Sequence, residues 1–182
     1  CHIIHCRLDD LIPFNEYWLI AYCAWYVLII GTLLYFLLYD IPSFKRLQTF
    51  FMMVQAMAVI VYIVYPSIQI GRPTSFEHSN FLTWLMSFIY SFDTPTGVCP
   101  SLHVAYSIGI TSAWVRRKES PKPFKLFMII LCVLISISTA FVKQHSVIDI
   151  AAAIPVSVIA ELLIYGFSRD RKTRLQQLLD RI

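Results

Sequence analysis

Six residues of this sequence are of types that a strongly apolar chain has little use for unless they do chemistry: Arg72, Ser101, His103, Lys143, His145 and Asp149. His145 and Asp149 are four apart, which on a helix puts them on one face at contact distance. A carboxylate there accepts a proton from one imidazole nitrogen, fixes the tautomer and turns the other nitrogen's lone pair outward. It also stabilises the charge that develops when the ring attacks an electrophile. His103, close to the start of another helix, can protonate a departing alkoxide. Arg72 and Lys143 supply cations where a phosphoryl transition state gathers negative charge, and Ser101 adds a hydroxyl beside the free N–H groups of a helix start. Nothing in the set has the spacing or carboxylate count of a magnesium cage, so no metal and no other cofactor is expected.

The elements that must hold these residues are set by composition. The chain has 182 residues, 58% hydrophobic and only 14% charged, against roughly 25% charged in soluble domains. A water-soluble protein is thereby excluded, and the bilayer is the expected solvent. The net charge of +4 comes from Lys and Arg gathered in a few loops, not from a basic face, so nucleic acid is not an expected partner. The five cysteines show no paired metal spacing and no disulfide framework.

A hydrocarbon core of about 30 Å needs about 20 apolar residues of helix. Stretches of that kind predict an all-α, integral membrane helical bundle: one domain over 1–182, with spans at 17–39, 47–66, 101–115, 126–142 and 147–168. The segment 67–100 forms a long outer loop over the site. Its apolar piece Phe81 to Phe92 is too short to cross and predicts an interfacial helix. Lys45 and Arg46, the cluster Arg116 to Lys125 and the tail Arg169 to Arg181 all fall on one side of this topology, which the positive-inside rule makes cytoplasmic. Arg72, His103, Lys143, His145 and Asp149 then share the opposite, extracytoplasmic side. Five spans leave the N-terminus outside, so a sixth, N-terminal span is expected ahead of the chain. Short loops and compact length point to a bacterial plasma membrane.

The order Arg72-Pro73, Pro100-Ser101-Leu102-His103, Ser138-Thr139 and His145-x-x-x-Asp149 resembles the three motifs of the type 2 phosphatidic acid phosphatase superfamily of membrane lipid phosphatases and phosphotransferases. The resemblance runs from about Gly71 to Asp149. It implies a metal-independent reaction through a phosphohistidine, with His145 as nucleophile, Asp149 as its orienting carboxylate, His103 as acid and base, and Arg72 and Ser101 as phosphate ligands. Three positions depart from the pattern. Tyr65 stands where the first motif has a lysine, and Thr139 where the third has an arginine. Leu102 stands where Pro-Ser-Gly-His has its glycine, which is similar to the inositol phosphorylceramide synthase branch. Lys143 is expected to stand in for the absent arginine.

Taken singly, each residue also has a structural reading: His103 packed between helices, His145 and Asp149 as a hydrogen bond at a helix start, Arg72 and Lys143 as headgroup-level anchors. Together, in this order and on one face, they point to a site. Three functions remain open on the sequence. A hydrolase would release phosphate from a lipid phosphate or diphosphate. A phosphotransferase would pass it to an alcohol bound near Thr74 to Asp93. A non-enzymatic scaffold or transporter would need none of the six. Outside the set, Glu161 reads as a snorkelling or paired charge, His78 and Glu77 as loop residues that could gate access, and His2 and His5 as at most half of a metal site.

Overall fold

A computed structural model describes residues 1–166 of the chain. The end of the last expected span and the basic tail from Arg169 to Arg181 lie outside the described residues.

The fold is an all-α membrane bundle. Its helices are α1 (Arg7–Leu11), α2 (Leu19–Tyr39, preceded by a 3₁₀ turn at Glu16–Trp18), α3 (Ile41–Val64), α4 (Phe81–Phe92), α5 (Leu102–Arg116), α6 (Lys122–Phe141) and α7 (Val147–Glu161, continued by a π-turn over Leu162–Gly166). Four stretches are long and apolar enough to cross a membrane: Glu16–Tyr39, Ile41–Val64, Lys122–Phe141 and Val147–Gly166. Their outward faces expose Val27, Ile30, Ile60, Ile63, Leu126 and Leu162, a surface that water would not tolerate and lipid does.

α5, at 15 residues, is about 22 Å long and falls short of a hydrocarbon core. It runs from the histidine end to the Arg116 end as the central helix, shielded from lipid by packing against α3, α6 and α7. Ala105, Gly109 and Ala113, spaced by four, give it a narrow face that lets neighbours approach. A Cβ on Gly109 would collide with the ring of Phe50 on α3, so glycine is required there by close approach. The core around it is built from Phe36, Phe50, Val54, Ile110 and Ile135.

The start of α3 differs from the hydropathy reading. α3 starts at Ile41 instead of 47, because Asp40 caps it through Ser43 N–H (3.1 Å) and Pro42 suits a first turn. Lys45 and Arg46 therefore ride on the first turns of the helix, not in a loop. α4 matches its expected limits, with Asn80 and Thr83 forming a capping box. Phe81, Trp84 and Phe88 stack in turn along its exposed face and Phe92 meets Phe88 edge-on, while Met86 and Tyr90 face Leu19, Tyr22 and Val142. An aromatic ridge of this kind suits the headgroup level.

Composition did not foretell the course of the first 16 residues. Residues His2–Ile3 (β1) pair in parallel with Ser67–Ile68 (β2), His2 stacks on Tyr65 at 4.0 Å, and His5 hydrogen-bonds Asp10 at 2.8 Å. The segment is drawn across the end of the bundle where the histidines lie.

Candidate active site

α5 and α7 begin side by side. Ser101 caps α5 by accepting from Val104 N–H, and its own N–H donates to the Asp149 carbonyl (3.1 Å), which fixes one helix start against the other. Ser146 caps α7, and Asp149 Oδ2 accepts the Ser146 N–H at 2.9 Å, closing a capping box. The same Oδ2 lies 3.3 Å from His145 Nδ1. The pair is thus made, but not along a helix as the spacing suggested. α7 starts at Val147, and His145 stands one residue before the cap, where the capping turn brings it back over Asp149.

Upstream, α6 ends in a turn in which Lys143 N–H donates to the Ala140 carbonyl and Gln144 N–H to the Thr139 carbonyl, with Lys143 at φ 52°. This is a Schellman closure with lysine at the left-handed position that glycine usually takes. It decides which residue faces the site. Lys143 is turned away, its ammonium donating to the backbone carbonyls of Asp9 (2.8 Å) and Ile12. Gln144, only 1% exposed, points inward instead.

His145 Nε2 lies 3.4 Å from His103 Nδ1. His103 is wedged against Tyr22 and Trp25 of α2, ring centroids 4.8 and 4.2 Å away, and Trp25 Nε1 donates to the His103 carbonyl at 3.0 Å. Arg72 arrives from the loop after β2. Its guanidinium donates to the Asp93 carbonyl and to Gln144 Oε1, stands 4.0 Å from the Asp93 carboxylate and lies 4.7 Å over the Tyr90 ring. Burial lowers its pKa from the usual value, with Asp93 and Tyr90 opposing the shift. An arginine remains charged under these conditions.

No protein-family model, curated protein or solved structure matches this chain.

Arg72, His103, Gln144 and His145 line one small cavity of about 120 Å³, with Tyr62, Asp93 and Leu102. That is below the ~300–1,000 Å³ of sites that engulf a whole small molecule, so it suits one compact group whose remainder stays outside. Arg72 Nε, His103 Nε2 and Gln144 Nε2 are buried without a hydrogen-bond partner among the described residues. Arg72 Nε and Gln144 Nε2 are donors, and His103 Nε2 is one when the ring carries a proton there, while the acceptor Asp149 Oδ1 is also unpaired behind His145. Unpaired donors on residues that line the cavity favour an anion. Burial, with Asp149 nearby, pushes the Cys99 thiol up to about 11, and Cys99 is not among the residues lining the cavity.

Of the six residues singled out by type, the fold brings four together: Arg72, His103, His145 and Asp149, the last directly behind His145. Ser101 is fully buried as a helix cap and does not line the cavity. Lys143 is committed to the N-terminal segment and Thr139 is buried in α6, and neither lines the cavity. Among the described residues lining the cavity, Arg72 is the one cation. Gln144, Asp93 and Tyr90 were not marked by their types. Adjacency of Gln144 to His145 was the only signal. Glu161 is paired with Arg116 at 2.8 Å.

Proposed function

We propose that this protein is a metal-independent membrane lipid phosphatase that acts on a lipid phosphate or diphosphate through a phosphohistidine at His145. The observation that carries the proposal is the line Asp149 Oδ2, His145 Nδ1, His145 Nε2, His103 Nδ1, with separations of 3.3 and 3.4 Å, opening on a cavity lined by Arg72. It supports a reaction in two halves. His145 Nε2 attacks phosphorus while Asp149 holds the Nδ1 proton and offsets the growing positive charge. The bond from phosphorus to the lipid oxygen breaks, and that oxygen takes its proton from His103. Water then attacks the phosphohistidine and gives a proton back to His103. The N–P bond breaks, and inorganic phosphate leaves. Arg72 and Gln144 meet the equatorial oxygens through both halves.

The cavity accepts the phosphoryl group, and the lipid body stays in the bilayer. By the positive-inside rule this end of the bundle faces the extracytoplasmic side, in a bacterial plasma membrane. A phosphotransferase would use the same residues with an alcohol in place of water. The deciding experiment is phosphate release from a panel of lipid phosphates by detergent-purified protein in EDTA, with His145→Ala alongside. EDTA-resistant release that the substitution abolishes is expected. Transfer of labelled phosphate to an added alcohol without release would replace hydrolase by transferase, and no turnover of either kind would sink the enzymatic reading.

A further inference from the structure

At the end of the bundle away from the histidines lies a groove of about 750 Å³ between α2 and α6, floored by Trp114 of α5. Its walls are largely apolar: the Thr32 hydroxyl on the α2 wall is taken up by Trp114 Nε1 (3.1 Å), and charged groups appear only at its mouth, where Arg117 and Glu119 lie beside Ser120. Gly31 sits on its wall, in the middle of α2. Glycine weakens a helix relative to alanine, and here no close approach calls for it, since a Cβ would meet nothing within 4 Å. What the glycine leaves is room inside the groove.

The mouth is positively charged. Its carboxylates are already engaged: Asp40 and Glu119 lie 3.9 and 3.3 Å from Arg117, and Glu161 lies 2.8 Å from Arg116. Arg117 is held in place by Tyr35, whose hydroxyl accepts its Nη1 proton at 2.8 Å. Lys118 and Lys122 join no salt bridge among the described residues and are exposed. Lys118 lines, with Arg46 and Arg116, an adjoining basic pocket that shares Arg117 and Glu119 with the groove, and Lys122 follows Pro121 of the groove wall in sequence.

We propose that this groove is a binding site for an anionic phospholipid. One acyl chain lies along the apolar wall past Gly31, and the phosphate and headgroup rest among Arg117, Lys118 and Lys122. A groove open to hydrocarbon is filled by lipid in any case. The lysines select among lipids, because a net negative headgroup gains from each cation at the surface and a zwitterionic one does not. The site is separate from the histidines and does not rest on the phosphatase reading.

The test titrates the full chain, in a mild detergent, with dioleoylphosphatidylglycerol or dioleoylphosphatidylcholine. It reads the thermal midpoint and the lipid retained in native mass spectra. Phosphatidylglycerol is expected to be retained, and to raise the midpoint, at roughly tenfold lower concentration than phosphatidylcholine. Gly31→Phe, which fills the groove, is expected to abolish both effects. Lys118→Gln with Lys122→Gln is expected to erase the preference while retention of lipid persists. Those lysines are exposed and outside the helix packing, so they keep the test open if Gly31→Phe does not fold. Equal retention of the two lipids by the native sequence, or undiminished retention of phosphatidylglycerol by Gly31→Phe, would overturn the proposal.

Discussion

Asp149 has two jobs in one oxygen: Oδ2 closes the cap of α7 and orients His145. Asparagine can still accept the cap hydrogen bond, yet it carries no charge to offset an imidazolium. Asp149→Asn is therefore expected to keep the thermal midpoint within a few degrees and to lower kcat on the order of a thousandfold. Loss of folding with no separate effect on kcat would make the residue purely structural. Gln144 and Lys143, neighbours in sequence, are expected to behave oppositely. Gln144→Leu removes a cavity donor and a partner of Arg72, so phosphate release should fall by about tenfold to a hundredfold. Lys143→Gln breaks contacts to Asp9 and Ile12, so it should lower stability more than turnover. Assaying both with one substrate checks the assignment, and the reverse pattern would restore Lys143 as the phosphate ligand.

The contact that organises this end of the bundle belongs to a segment with no apolar signature. The Asp9 carboxylate accepts from Ser146 Oγ (2.6 Å), Val147 N–H (2.9 Å) and Cys6 N–H (2.8 Å), so α1 caps the start of α7 from outside. Burial raises the Asp9 pKa, and the hydrogen bonds from Ser146, Val147 and Cys6 outweigh it, leaving the carboxyl below its ordinary 3.8. A depressed carboxyl contributes stability that is fully present above the unfolded value and is lost as pH falls through the lower folded value. Acid unfolding followed by circular dichroism should therefore show a loss below about pH 4 that Asp9→Asn removes, with Asp9→Ala costing about 1–2 kcal/mol at neutral pH. On α5, Gly109→Ala forces the buried Phe50 ring to move, and a cost of about 1–3 kcal/mol in thermal unfolding is expected.

Across the whole molecule, the two ends differ in charge and in what they hold: histidines, Arg72 and the aromatic ridge of α4 at one, the cluster Arg116 to Lys125 at the other. Single cysteines at His78 and Lys118, in a background cleared of the native ones, test the orientation. A membrane-impermeant maleimide added to intact cells is expected to label position 78 and not 118; the opposite pattern would invert the topology.

The sequence alone determined the solvent, the helical class and most helix limits, because hydrocarbon thickness and backbone hydrogen bonding leave a chain of this composition few alternatives. It also picked out Arg72, His103, His145 and Asp149, since titratable residues near membrane helix ends are costly and therefore conspicuous. Orientation of side chains within a turn was not legible. That Lys143 points away and Gln144 inward depends on one left-handed residue, and that Ser101 is a buried cap depends on how closely α5 and α7 approach. Nor could hydropathy place Asp9 on α7, because its three hydrogen-bond partners include residues more than 130 positions away and only the assembled bundle brings them together.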